Sequence, residues 1–285
     1  MRDAALKSLA VGFFDGVHLG HQAILRGATS ALTFRNHPLS VLAPERAPRL
    51  IMTPEERVAA IKACGVEDVT LLDFTPELAA MPAEEFVTRH LMSAVSRLPS
   101  SVRCGANWRF GKGGAGDAAF LRSHGIAVEV APYVEYKGEP ISSSRTRRCL
   151  ENGEIEDANA MMGRKFKVQG SRFKGKGLGT DMGYPTVNLE LETLSIRLPL
   201  GVYEVEFEGR KAIANYGTAP TMGDNAWARP VMEVHLLGEG TEDMGRETAD
   251  GVSVGLVRYI RPERKFETID DLKRQIAADC ATIVT

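Results

Sequence analysis

The chain has 285 residues, with 35 basic against 37 acidic side chains and a formal net charge of −2. A hydrophobic fraction of 44% and a charged fraction of 25% are those of a globular protein long enough for two cores. The near-neutral balance excludes a general attraction to nucleic acid or anionic membrane, and no apolar run approaches the roughly 20 residues that span a bilayer. The N-terminal stretch has too short an apolar core and no cleavage pattern for a signal peptide. Cys64, Cys104, Cys149 and Cys280 are scattered, with no CxxC pair to hold a metal or a redox disulfide. The expectation is a reduced, cytoplasmic protein with no nucleic-acid or membrane partner, as a monomer or weak homo-oligomer.

Residues 6–11 predict a short strand that runs into GFFDGVHLGH, residues 12–21, and then into a helix. Gly12, Gly16 and Gly20 suit a tight strand-to-helix turn, since glycine takes backbone shapes closed to other residues. His18 and His21 are spaced to project together from the first helical turn. There, free N–H groups and a partial positive charge favour phosphate. Residues 30–34 predict a second strand. Thr53 and Glu56 have the spacing of a capping box at the start of a helix. The continuous apolar run at 69–74 predicts a strand buried on both faces. Pro82 opens another helix, and residues 101–105 and 125–132 predict two further strands around a helical segment.

Strands alternating with helices imply a parallel sheet with right-handed crossovers, and ligands on such sheets bind at the carboxyl ends of the strands. Residues 142–162 read as helical with a break near Gly153. Beyond Gly163 the pattern changes to six short alternating segments divided by Gly, Pro and Asp, which predicts a small antiparallel barrel or sandwich. A helix over about 269–278 closes the chain. The fold class is therefore α/β followed by β, with domains at 1–163 and 164–285.

Several motifs point to phosphate. Gly111, Gly113 and Gly116 fit GxGxxG, with Glu129 or Glu135 at a tolerable distance. They fall late in the sheet rather than in its first βαβ unit, so they predict a flexible loop lining a ligand site. Residues 170–177 match a P-loop until Gly177 replaces the Ser or Thr that would touch magnesium, and the sequence that follows is strand-like. It is not a P-loop. Arg164, Lys165, Lys167, Arg172, Lys174 and Lys176 nevertheless crowd Gly175, Gly177 and Gly179, where backbone amides and charge can meet phosphate oxygens. Thr186 and Asn188, two apart, share a face of a strand and offer hard oxygens to Mg2+. Ser142, Ser143 and Ser144, followed by Arg145 and Arg147, exceed what helix capping requires and suit a polyphosphate. Glu233 is a lone carboxylate in an apolar strand. Such a residue ordinarily points to solvent, but in a cleft with Thr186 and Asn188 it becomes a general base.

Taken in order, these motifs resemble the bacterial bifunctional riboflavin kinase/FMN adenylyltransferase family, the FAD synthetases. The resemblance rests on FDGVHLGH (14–21), TFRNHP (33–38), GANWRFG (105–111), ISSSRTR (141–147), MGYPTVN (182–188), GVY (201–203), PVMEVHLL (230–237) and RPERKF (261–266). It implies a Rossmann-like nucleotidyltransferase domain followed by a riboflavin kinase barrel, with ATP, Mg2+ and flavins as ligands. By that resemblance Glu233 takes the proton of the riboflavin hydroxyl. Thr186 and Asn188 hold Mg2+ and phosphates beside Pro185, and the loop with Gly175, Lys176, Gly177 and Gly179 covers ATP. His18, His21, Ser142, Ser143, Ser144 and Arg147 stabilise a second ATP, with Phe14, Asp15 and Gly16 in the same motif. His37, Pro38, Asn107 and Phe110 lie around the flavin or adenine pockets.

The sequence also departs from the family. Only 11 residues separate His21 from Thr33, so the first helix and second strand are expected to be cut short. Thr180 and Ala219 stand where the family tends to have arginine. Met244-Gly245 is all that remains of an aspartate-leucine-tyrosine-glycine run. The competing readings are a chain with one working half, and a flavin- or nucleotide-binding regulator without catalysis. Retention of His18, His21, Thr186, Asn188 and Glu233 together favours catalysis, since a binder needs no general base.

Overall fold

The apolar run before Gly12 becomes β1 (Ser8–Val11), the middle strand of a five-stranded parallel sheet. Leu9 and Val11 point into one core cluster and Ala10 into another, so β1 is buried on both faces. In a computed structural model the described residues are 7–95, 99–173, 184–192, 195–219, 229–237 and 251–284. They fall into two compact units, Met1–Arg147 and Arg148–Thr285.

In the first unit β1 is followed by α1 (Leu19–Leu25) and β2 (Ser30–Phe34). The crossover is indeed short, with a helix of seven residues, but it still delivers β2 parallel to β1. Next come α2 (Leu39–Leu42), α3 (Pro54–Ala63), β3 (Asp68–Leu72) and α4 (Pro76–Ala80). The capping box of α3 forms as expected: Glu56 N–H donates to Thr53 Oγ1 at 3.2 Å and Thr53 N–H to Glu56 Oε2 at 2.8 Å. α5 (Ala83–Phe86) passes into a wider π turn (Val87–Leu91). β4 (Ser101–Gly105), α6 (Ala118–Ser123) and β5 (Val128–Ala131) complete the sheet, and β6 (Glu135–Tyr136) with β7 (Glu139–Pro140) forms a small hairpin.

The strand order is β3-β2-β1-β4-β5. β3 is therefore an edge strand with no fully buried residue, which corrects the expectation of burial on both faces. An apolar run cannot report where in a sheet its strand will lie. The order reverses at β1, with β2 on one side and β4 on the other, and the crevice there is where such sheets take ligands.

α7 (Ser143–Asn152) and α8 (Ile155–Met162) flank the break at Gly153. The second unit is a closed antiparallel barrel of β8 (Phe166–Phe173), β9 (Val187–Leu191), β10 (Gly201–Phe207), β11 (Arg210–Ala219), β12 (Arg229–Leu236) and β13 (Val252–Pro262). Their spatial order is β10-β11-β12-β9-β8-β13. Alternate residues fill the interior, among them Leu189, Tyr203, Val205, Ala214, Met232 and Val234. The final helix α9 (Ile269–Val284) is longer than the sequence predicts. It is held to the barrel by Ile283 against Val202 and Ile213, and by Arg261, whose guanidinium reaches Asp279 at 2.8 Å.

Candidate functional site

In the first unit the site begins where β1 ends. The chain reverses through Phe14 (φ +58°), Gly16 (φ +80°) and Val17 (φ +38°), and left-handed non-glycine residues mark a turn held against its own preference. Gly16 supplies the conformational freedom expected of it. Gly12 and Gly20 instead supply space, since a Cβ at Gly12 would lie 2.9 Å from the Phe14 ring and one at Gly20 3.2 Å from the His18 ring. His18 is the N-cap of α1. Its Nδ1 accepts the His21 N–H at 3.3 Å, and the two imidazoles stack with centroids 3.6 Å apart. The expected pair of histidines is thus one stacked unit, and one of the amides thought free for phosphate is already engaged. Phe14 is fully buried and meets His21 edge-on.

A crevice forms at the carboxyl ends of β1, β4 and β5, lined by His18, His21, Gly105, Ala131, Tyr133 and Ile141. This is the switch point of the sheet. Asp15 lies beneath, 1% exposed, and its carboxylate accepts the N–H groups of Ile51 and Met52 and the Arg147 guanidinium at 2.9 Å. Arg147 also donates to the Arg49 carbonyl. Asp15 is therefore occupied by protein groups and fixes Arg147.

The three serines divide their roles. Ser142 caps α7 through the Arg145 N–H, and Ser143 donates to the Asp15 carbonyl at 2.9 Å. Ser144 is exposed. Arg145, read as a polyphosphate ligand, instead donates to the Tyr136 and Glu139 carbonyls and braces the β6–β7 hairpin.

His37 and Pro38 sit at the carboxyl end of β2, both half-buried. His37 meets Phe13 edge-on at 4.8 Å, and its Nδ1 accepts the Leu39 N–H at 3.1 Å. Burial lowers its pKa, Arg147 and Arg57 lower it further, and Asp15 opposes them. Asn107 is exposed just after β4, whereas Phe110 is 6% exposed in the core, stacked on Trp108 and packed against Phe86 and Phe120. The GxGxxG loop is not an open, flexible one. Phe110 and Gly116 pair through both backbone hydrogen bonds, and Cβ atoms at Gly111 and Gly116 would lie 2.7 Å from Ala83 and 2.5 Å from the Phe110 ring. Close packing accounts for those two glycines.

In the second unit the site is a row across the outside of the barrel. Register places Phe173 on β8 opposite Asn188 on β9, Asn188 opposite Glu233 on β12, and Glu233 opposite Asn215 on β11. Directly opposed residues share a face, so the carboxylate lies between two amides. Glu233 is exposed, yet the neighbouring surface partly desolvates its carboxylate and raises its pKa, with the Glu263 carboxylate adding to the shift. Pro185 and Thr186 are half-buried just before β9, and the Pro185 carbonyl lies 2.8 Å from His235 Nδ1. Gly175, Lys176, Gly177, Gly179, Thr180 and Met244-Gly245 lie outside the described residues.

Sequence reasoning did not single out Asn215, nor Glu263 within the RPERKF motif. Asn215 Nδ2 donates to Glu263 Oε1 at 3.4 Å, in space that a Cβ at Gly217 would close. It also missed a cleft of about 540 Å³ beside α9, lined by Arg264, Phe266, Arg274 and Gln275 among others, and Arg57, a fully buried arginine in α3. Asn215 and Arg57 carry no local signal, because each acquires its place through distant pairing, whereas Glu263, Arg264 and Phe266 lie within the RPERKF motif without a role that the motif alone assigns.

A family model described as FAD synthetase matches residues 2–145, and one described as riboflavin kinase matches residues 162–285. Bifunctional riboflavin kinase/FMN adenylyltransferases from Escherichia coli (strain K12), Bacillus subtilis (strain 168) and Pseudomonas fluorescens are 31%, 30% and 32% identical to this chain. The alignments cover 95%, 97% and 95% of this chain, and 90%, 91% and 90% of the relatives. Among solved structures, a Streptococcus pneumoniae protein described as a macrolide-efflux protein matches with a TM-score of 0.84 at 29% identity, over 99% of this chain and 95% of that one. Among the described residues no helix is long and apolar enough to cross a membrane.

Proposed function

The chain belongs to the bifunctional riboflavin kinase/FMN adenylyltransferase family, and from that premise we infer which residues carry each of its reactions. It uses ATP to phosphorylate riboflavin to FMN, and joins FMN to a second ATP to give FAD and pyrophosphate. We assign adenylyl transfer to residues 1–163 and phosphorylation to residues 164–285.

The observation that carries the kinase assignment is the placement of Glu233 between Asn188 and Asn215 on one barrel face. Glu233 accepts the proton of the ribityl 5′-hydroxyl as its oxygen bonds to the γ-phosphorus and the bridge to the β-phosphate breaks. A carboxylate with a raised pKa is closer to the hydroxyl proton's requirement than an ordinary one. The Thr186 hydroxyl and Asn188 amide oxygen are hard donors of the kind Mg2+ takes, two residues apart at the start of β9. Bound there, Mg2+ supplies neutralisation of the charge on the transferring phosphates. ATP lies toward Phe173, which leads into the glycine-rich segment with Gly175, Lys176, Gly177 and Gly179. The flavin ring lies toward Glu263 and the cleft of Phe266.

In adenylyl transfer a phosphate oxygen of FMN bonds to the α-phosphorus of ATP and pyrophosphate leaves, so no protein nucleophile is needed. The stacked His18–His21 pair and the braced Arg147 stabilise the triphosphate. Ser144 and Asn107, both exposed at the carboxyl edge, are placed for direct contact. Asp15, Phe14, Gly16 and Phe110 act from beneath by holding that edge. The four cysteines are scattered along the chain with no CxxC pair, which suits a reduced compartment, the cytoplasm.

The test is product analysis. Purified protein is incubated with ATP, Mg2+ and either riboflavin or FMN, and the flavins are resolved by chromatography. FAD from both substrates is expected. FMN without FAD would eliminate the two-activity assignment.

A further inference from the structure

Arg57 is a charged side chain enclosed within the first unit. It sits in the first turns of α3 and is 0% exposed. Its Nη2 donates to the carbonyls of Phe34, the last residue of β2, and of Arg35, the residue that follows it. Its guanidinium lies 4.3 Å from the centroid of the Phe13 ring, and Phe13 is met edge-on by His37. Nε and Nη1 are buried and have no hydrogen-bond partner among the described residues. Among the described residues no carboxylate forms a salt bridge with it: Asp15 and Glu55 act on it only through space, against the burial that lowers its pKa, and Asp15 is engaged by Arg147 and by two backbone amides.

A buried cation without a counter-ion is costly, and proteins retain one where an anion arrives or where its field is used. Here it is fixed at the ligand edge of the sheet, one ring away from His37. We propose that Arg57 is a positioning residue of the adenylyl-transfer site, a buried cation that fixes Phe13 and His37 and biases the carboxyl edge of the sheet toward phosphate. It does not touch substrate; the half-buried Phe13 ring lies over it. His37, accepting the Leu39 amide at Nδ1, carries its proton on Nε2 when neutral and so presents a donor. The charged groups that act on His37 are Arg57, Arg147 and Asp15. Burial lowers the His37 pKa most, Arg147 next and Arg57 least, so loss of the Arg57 charge removes the smallest of these influences.

This inference rests on the adenylyltransferase assignment of the first unit. In the full-length chain, steady-state FAD synthesis is measured with FMN and with ATP varied in turn, across pH. Arg57→Met is expected to raise KM for at least one phosphate-bearing substrate by about tenfold, the effect of one nearby charge in a partly screened site. A rise for FMN alone places the field at the flavin phosphate, and a rise for ATP alone places it at the triphosphate. The acid limb of kcat/KM is expected to move to higher pH, because His37 protonates more readily without Arg57. Riboflavin phosphorylation by the same preparation is expected to be unchanged. Arg57→Lys keeps the charge but not the fork, so KM should hold within about threefold while kcat falls. If Arg57→Met does not fold, the neutral but polar Arg57→Gln takes its place and is read by the same KM values and acid limb. Unchanged KM values and an unmoved acid limb, with only thermal stability lost, would overturn the proposal. Absence of FAD synthesis in the unsubstituted protein would instead overturn the assignment on which it rests.

Discussion

Gly201 shows how much one backbone atom can decide. It begins β10 at φ +149°, and a Cβ there would lie 2.2 Å from the Arg261 carbonyl oxygen and 3.0 Å from Pro262 Cα. Both clashes are with backbone, so no side chain can swing aside. Gly201→Ala is expected to destabilise the barrel by about 3 kcal/mol, the sum of overpacking and a disfavoured backbone, which chemical denaturation of the purified protein would measure. At the same scale, His37 and His90 both have pKa values below the ordinary 6.5, in each case chiefly through burial. The unfolded chain therefore binds more protons than the folded one as pH falls through 6.5. Stability present above that value is lost below it, until the folded pKa values are passed. Thermal unfolding of the first unit should occur at a lower temperature at about pH 5.5 than at about pH 7.5. His37→Gln with His90→Gln should flatten that dependence, and an equal pH dependence in the double variant would exclude this cause.

At the scale of elements, α3 does two jobs. Its capping box ties down the first turn, and that turn carries Arg57 to the end of β2. Thr53→Ala removes the acceptor for the Glu56 N–H and is expected to cost about 1 kcal/mol. Thr53→Ser should cost much less, and denaturation curves of the two variants would separate capping from loss of a methyl group. The capping box was legible in sequence because its partners are three residues apart. The barrel row was not. Asn188, Glu233 and Asn215 lie on β9, β12 and β11, and only the registers of two strand pairs bring them into line. A slip of one residue in either pair would turn Glu233 or its partners to the opposite face.

For the whole molecule, the assignment of one activity to each of two compact units predicts that the activities can be removed one at a time. Glu233→Gln is expected to abolish FMN formation from riboflavin and to spare FAD formation from supplied FMN. His21→Ala is expected to do the reverse, with chromatography of both reactions as the measurement. Loss of both activities in either folded variant would contradict separate sites. The sequence by itself determined the alternation of strands and helices in the first unit, the change to short strands beyond Gly163, and the chemical groups at His18, His21, Thr186, Asn188 and Glu233. These are written in local periodicity and short motifs, which need no distant partner to be read. Tertiary structure alone decided that β3 is an edge strand, that Arg145 braces a hairpin, and that Asp15 holds Arg147 across 132 residues of chain. It also decided that Arg57 is buried beneath Phe13. Even the opening turn of the first unit changed meaning, since His18 and His21 proved to be a stacked and capped pair. Burial and pairing between residues far apart in sequence depend on strand order and register, and neither is encoded at any one position.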